Sequence, residues 1–202
     1  MDLVTKRKWD NVARGYDLMN GFGPEWRWDP FKRRLFSMMW GKVLFAAVGT
    51  GQDIQFFPPG QDIVGIDISD RMLAVAQPRA DAYPGRLELR HQDVHELDYP
   101  DATFDQVFTS CTFCSVPNPV AGLTSVRRVL KPGGQLHMFE HTGSHYLPFS
   151  AMLNLINPIA RRFGPEVNRD TVANVTRAGF EIRAVEYVYL DVVKMIHAVA
   201  PH

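Results

Sequence analysis

Five short apolar runs, separated by polar or helix-like stretches, constrain this chain more than any other feature. They are "KVLFAAV" (42–48), "DIVGID" (62–67), "RLELRHQD" (86–93), "FDQVFTS" (104–110) and "GQLHMFEH" (134–141). Each has strand length and a turn signal beside it. Between them, "SDRMLAVAQPRA" (69–80) reads as a helix with Ser69 as its N-cap and Met72, Leu73 and Val75 to pack. A second helix, "NPVAGLTSVRRVL", stops at Lys131-Pro132-Gly133-Gly134. Strands alternating with helices predict an α/β fold with a doubly wound, mostly parallel sheet. The tail "FEIRAVEYVYLDVVKMIHAV" breaks the alternation with two strands in succession. It predicts a hairpin at one sheet edge, seven strands in all, and an antiparallel last strand.

The first run ends in a tight turn, "VGTGQD", the way a strand brings backbone against a nucleotide at the start of a helix. Two positions depart from common versions of such a loop: Phe45 stands where an acid is often seen, and Ala47 where a glycine is. No G-x-x-x-x-G-K-[ST] loop is present. A dinucleotide fingerprint starting at Gly49 would need a third glycine at position 54, which is Ile54. The next two strand ends carry Asp67, placed to accept both hydroxyls of a ribose, and Asp93, placed to accept from an exocyclic amine such as adenine's. Either could instead cap a helix. Together, three adjacent strand ends offer one crevice where open sheets bind ligands.

In this order, "VLFAAVGTG", "VGIDIS.RML", "HQDVHELDYPDATFDQVF" and "RRVLKPGGQL" resemble the successive motifs of class I S-adenosylmethionine-dependent methyltransferases, over about residues 9 to 199. "VARGYDLMN" is similar to the ubiquinone/menaquinone C-methyltransferase group. "FFPPG", "CSVPNP" and "KPGGQLHMFEH" resemble microsomal methyltransferase-like enzymes that methylate thiols, and bacterial phospholipid N-methyltransferases are built similarly. The resemblance implies a Rossmann-like fold and S-adenosyl-L-methionine as cofactor. It implies that Ala47, Val48, Gly49, Thr50 and Gly51 wrap the methionine part through backbone groups. Asp67 would take the ribose, Ile68 and Met72 would sandwich the adenine, and Asp93 with Val94 would hold its edge. Ser110 would lie beneath the sulfonium and Tyr16 would close over the cofactor. Phe45 implies weaker fixing of the methionine ammonium, which a glutamate there would restore unless its carboxylate were buried unpaired.

Methyl transfer from a sulfonium is an in-line displacement in which the enzyme supplies proximity and alignment. A base is needed only where the acceptor must lose a proton. Candidates are Glu140, His141 and His145 at the fifth strand end, and Asp17 from the N-terminal segment. His141 is the preferred base because imidazole titrates near physiological pH; a structural, hydrogen-bonded histidine is the alternative. Cys111 and Cys114, the two cysteines, lack a second pair to complete a zinc site and read as pocket or core thiols. No metal motif is expected.

Before the first strand, "EWRWDPFKRRLFSMMW" places Trp28, Phe31, Leu35, Met38 and Met39 on one helical face, beside Lys32, Arg33 and Arg34. One reading is a helix capping the core; the other is a lid that meets an apolar or membrane-borne acceptor. The expected organisation is one domain over 1–202, with residues 1–40 as a helical lid over a core of 41–202. Twenty-two basic residues balance 22 acidic ones, which argues against nucleic acid as a partner. Few cysteines and no signal-type apolar start predict a cytoplasmic protein, with peripheral membrane contact through the lid and the oligomeric state left open. The expected activity is methyl transfer to a small or amphipathic lipophilic acceptor: a quinone, a phospholipid amine or a thiol. The alternatives are a non-catalytic S-adenosylmethionine-binding regulatory module and, against Ile54, a nucleotide-dependent oxidoreductase.

Overall fold

A computed structural model describes residues 1–17, 25–163 and 165–202; residues 18–24 of the expected lid lie outside the described residues. Seven strands form one sheet in the order β3-β2-β1-β4-β5-β7-β6. They are β1 (Lys42–Ala46), β2 (Asp62–Asp67), β3 (Arg86–His91), β4 (Phe104–Ser110), β5 (Leu130–His141), β6 (Glu181–Tyr189) and β7 (Val193–Val199). β1 to β5 pair in parallel, and β7 is antiparallel to both β5 and β6. The expected hairpin is there, with its second strand slotted inside the sheet and β6 at the edge. This is the doubly wound, Rossmann-like architecture that the alternation predicts.

Strand residues alternate between two cores. Leu44, Ala46, Val107 and Leu136 face one cluster with helices α4 (Pro119–Val129) and α6 (Thr171–Arg177). Val43, Phe45, Phe108 and Phe139 face the other, with α2 (Asp29–Phe36) and α3 (Asp70–Asp81). Ser69 caps α3 by accepting from Met72 N at 3.1 Å, as its position predicts. The helix expected after the glycine turn is only a five-residue 3-10 helix, Gln52–Phe56, because Pro58-Pro59-Gly60 ends it. Helix α1 (Leu3–Val12) falls within the segment 1–40 expected to be helical, whereas helix α5 (Phe149–Phe163) and α6 were not foreseen.

The apolar stripe before β1 is core except at Met38, which is exposed. Trp28, Leu35 and Met39 are buried against the sheet and Phe31 is half-buried, so this stripe is not presented to an acceptor. Its basic neighbours are engaged as well. Lys32 pairs with Asp53 at 2.7 Å, Arg34 pairs with Glu186, and Arg33 stacks 5.0 Å from the Phe56 ring. The i, i+3, i+4, i+7 pattern reported a buried face, and the sheet is what covers it.

Candidate functional site

At the C-terminal edge of the parallel strands, the turn after β1 runs through left-handed backbone at Ala47 (φ 59°), Gly49 (φ 57°) and Gly51 (φ 80°). Gly49 has nothing within 4 Å of where a Cβ would stand, so its backbone is open to a ligand. Gly51 serves packing instead: a Cβ there would come within 2.8 Å of Ile54 Cδ1 and 3.1 Å of Ala76 Cβ. Asp67, at the end of β2, fixes the turn. Its Oδ2 accepts from Gly49 N at 2.8 Å and its Oδ1 from Ser69 N at 2.9 Å. Burial raises its carboxyl to about 6, against the pull of those backbone donors.

Beyond β3, Asp93 accepts from His95 N at 2.9 Å and sits 2.6 Å from His95 Nδ1. Its other oxygen accepts from Asp2 N at 2.8 Å, so the start of α1 reaches over this strand end. α1 buries none of its own residues. Polar contacts hold it: Ser69 Oγ donates to Asp10 Oδ1 at 2.6 Å, and Lys6 pairs with Asp70 at 2.8 Å. Trp9 and Tyr16 meet edge-on, their ring centroids 6.1 Å apart.

One cavity runs between these parts. Tyr16, Ala47, Gly49, Asp67, Ile68, Met72, Asp93, Val94 and Ser110 line it, all of them residues singled out from sequence. Val48, Thr50 and Gly51 do not. Val48 packs into the core, and Thr50 is buried, its Oγ1 donating to Asp17 while its carbonyl accepts from Arg79. Asp17 also accepts from Gln52 and pairs with Arg79 at 2.7 Å, which ties it to the turn rather than to an acceptor. Sequence reasoning missed the α1 contributors Asp2, Thr5 and Trp9, because α1 carries no apolar stripe to announce a packed helix. It also missed the wall after β4, made by Cys111, Thr112, Ser115, Val116 and Pro117, apart from naming Cys111.

Of the proposed bases, His141 does not line the cavity; it is half-buried, with Nδ1 unpartnered, and burial lowers its pKa. Glu140 is fully buried and accepts from Thr109 Oγ1 at 2.8 Å and from Thr112 N and Phe113 N, both at 3.1 Å. Burial pushes its carboxyl up to about 7. It anchors the cavity wall from behind. His145 donates its backbone N–H to Asp191 at 2.7 Å. Cys111 faces the cavity and Cys114 is core; burial raises both thiols, Cys114 to about 12. Among the described residues, no three His, Cys, Asp or Glu side chains are grouped to hold a metal.

A left-handed turn with an open glycine, a carboxylate at the second strand end and another at the third fit a nucleoside joined to an amino acid. A family model described as a methyltransferase domain matches residues 44–138, the segment that builds this turn and both carboxylates. The chain carries a class I S-adenosylmethionine-dependent methyltransferase domain. Its cofactor is S-adenosyl-L-methionine. The ubiquinone/menaquinone biosynthesis C-methyltransferase of Geobacter sulfurreducens is 32% identical over 142 residues, 64% of this chain and 55% of that protein. The phosphatidylethanolamine N-methyltransferase of Cereibacter sphaeroides is 34% identical over 115 residues, 55% of this chain and 56% of that protein. The chain thus spans about half the length of these curated relatives. Among solved structures, Haemonchus contortus phosphoethanolamine N-methyltransferase 2, in complex with phosphomonomethylethanolamine and S-adenosylhomocysteine, shares the fold with a TM-score of 0.71. It is 18% identical and covers 98% of this chain and 61% of its own.

Proposed function

We propose that the protein transfers a methyl group from S-adenosyl-L-methionine to a lipophilic acceptor, and that the acceptor atom is an amine nitrogen. Bound in the cavity, the cofactor supplies an electrophilic methyl group on a sulfonium. Asp67 would accept from the ribose, Asp93 with Val94 would hold the adenine edge, and Ile68 and Met72 would flank its ring. The backbone of Ala47 and Gly49 would face the methionine part, Ser110 would lie below the sulfonium, and Trp9 with Tyr16 would exclude water from above.

The observation that carries the choice of atom is the state of the titratable groups on the cavity wall. Asp67 and Asp93 are held by backbone donors, and both ring nitrogens of His95 have partners, Asp93 and the Asn118 carbonyl. Asp2 caps α1, and desolvation of the sulfur raises the pKa of the thiol of Cys111, a residue otherwise exposed. Among the described residues no base stands ready at the cavity, and an amine that enters neutral, its ammonium proton already lost to solvent, attacks the methyl group without one. Trp9, Val116 and Pro117 give the wall its apolar character. A quinone carbon acceptor would call on His141, and thiols remain in the test panel.

The deciding experiment follows labelled methyl transfer to phosphatidylethanolamine, a demethylquinone and an alkyl thiol. Methylation of the lipid amine, unaffected by His141→Ala, supports the proposal. Transfer confined to the quinone would overturn the choice of nitrogen. Cofactor binding without transfer to any acceptor would favour the regulatory module.

A further inference from the structure

Helix α5 is built inside out for a helix on a protein surface. Phe149, Met152, Leu155, Ile156 and Ile159 recur at a spacing of three and four, which puts them on one face. They are between 40% and 79% exposed. Between residues 149 and 161, Leu153 is the one buried side chain. The side toward the body is fastened by polar groups: Asn157 Oδ1 accepts from Val167 N at 2.9 Å, and Asn154 Oδ1 accepts from Asn168 Nδ2 at 2.8 Å. Tyr146 and Leu147, also exposed, prolong the apolar surface ahead of the helix. Single exposed apolar residues need no explanation, but a contiguous stripe of this kind does.

The charges say what covers it. Residues 142–165 contain no Asp or Glu, and Arg161 stands exposed in the last turn of the helix. α1 joins this end, with Lys8 Nζ donating to the Arg161 carbonyl at 2.8 Å, and it carries exposed Arg7. The acids around the helix lie on its inner side: Glu166 is 3.2 Å from Arg161 and also paired with Arg169, Asp191 accepts from Ser144 Oγ and His145 N, and Asp170 lines a cavity with Leu153 and Asn154. A second copy of the chain laid face to face would bring an acid-free stripe against an identical one. Anionic headgroups above an acyl layer satisfy both the apolar face and the basic end. At 15 residues, α5 does not span a bilayer; among the described residues no helix is long and apolar enough to do so.

We propose that α5 is a membrane-docking helix, lying in the headgroup plane of anionic bilayers with Phe149, Met152, Leu155, Ile156 and Ile159 in the acyl boundary. Docking stands apart from the choice of acceptor atom and from transfer itself, and it is read without turnover. The test is co-sedimentation with vesicles of phosphatidylglycerol and phosphatidylcholine, against pure phosphatidylcholine, with Leu155→Ser/Ile159→Ser as the variant. The wild type should bind the anionic vesicles, and the variant should partition at least tenfold less. Cofactor affinity and melting temperature should match the wild type in calorimetry, because both positions are exposed. Equal sedimentation of variant and wild type, or no wild-type binding at low salt, would overturn the proposal. So would a wild-type dimer in vesicle-free solution that the variant makes monomeric, since the face would then belong to a second copy.

Discussion

Asp67 holds Gly49: the carboxylate that faces the cavity at the end of β2 also accepts the Gly49 N–H, at 2.8 Å. One side chain therefore sets the turn and, on the proposed reading, accepts from the ribose. Its removal should cost cofactor binding about 1–3 kcal/mol, the usual range for hydrogen bonds to a charged group. The pH dependence follows from burial. Asp67 titrates near 6 in the free protein, and only its ionised form accepts from both hydroxyls. Cofactor affinity should be level above pH 7 and fall roughly tenfold by pH 5, one pH unit below that pKa. Calorimetric titration at the two pH values checks this, and Asp67→Asn should flatten the dependence. A wild-type affinity that is equal at both would refute the assignment.

The departure at position 47 has a backbone cost. Ala47 sits at φ 59°, where an L-residue with a Cβ is disfavoured by about 1–2 kcal/mol. Glycine would relieve that strain while losing about 0.5–1 kcal/mol through its freer unfolded chain. Ala47→Gly should therefore raise stability slightly, and Ala47→Val should lower it clearly, since a β-branched residue tolerates this conformation least. Urea unfolding of the two variants provides the measurement. A destabilised glycine variant would mean that the turn is not strained.

The departure at position 45 resolves differently from its sequence reading. Phe45 is 1% exposed, edge-on to Phe36 at 5.6 Å and Phe57 at 5.1 Å. A glutamate there would not reach an ammonium; it would replace a core ring by a carboxylate among aromatic rings. Loss of the ring alone costs about 3–5 kcal/mol, and an unpaired buried acid adds to it. Phe45→Glu should fail to fold or melt far below the wild type, whereas Phe45→Leu should lose only part of that. Tighter cofactor binding by a folded Phe45→Glu would contradict the packing.

Across β5 and β7, His137 Nδ1 lies 2.7 Å from His197 Nδ1, so one imidazole donates and the other must stay unprotonated there. Burial, then the neighbouring histidine, lowers His137 to about 4, and burial lowers His197 as well. Unfolded histidine titrates near 6.5. Between those values the unfolded chain binds more protons, so folding is favoured above 6.5 and loses stability as pH falls toward 4. The loss from His137 is at most about 3 kcal/mol across that window. Melting temperatures from pH 7.5 to 5 should drop, and less steeply in His137→Gln. A flat profile in the wild type would rule out the pair as the cause.

What was legible divides by where a residue's partners lie. The strands could be read because β1, β2 and β4 are almost wholly buried, and such runs show in composition alone. Asp67 could be placed because it terminates β2, and Asp93 because it lies just beyond β3, an edge strand marked by its length and flanking turns rather than by burial. The stripe from Trp28 to Met39 was readable as a stripe, but periodicity does not say whether sheet or solvent covers it. α5 shows the converse, an apolar face at helical spacing that turns outward. α1 was silent because it is held by Asp2, Lys6 and Asp10 through polar contacts, which leave no periodic signature.

That mode of attachment makes α1, rather than the stripe at 28–39, the part suited to open and close. It buries none of its own residues, yet it brings Thr5 and Trp9 to the cavity. Asp10 is one of its fastenings, its Oδ1 accepting from Ser69 Oγ at 2.6 Å and from Arg71 N at 3.5 Å. Each contact is worth on the order of 1 kcal/mol, so losing them should shift the closed population without unfolding the sheet. Asp10→Ala should weaken cofactor binding about three- to tenfold, the equivalent of roughly 0.7–1.4 kcal/mol. It should speed hydrogen exchange across residues 3–12 and leave exchange in β1 and β4 unchanged. Exchange that quickens throughout the sheet would mean that Asp10 supports the fold as a whole. Unchanged exchange in α1 with unchanged affinity would mean that the helix is a fixed wall of the cavity, and the cofactor must enter elsewhere.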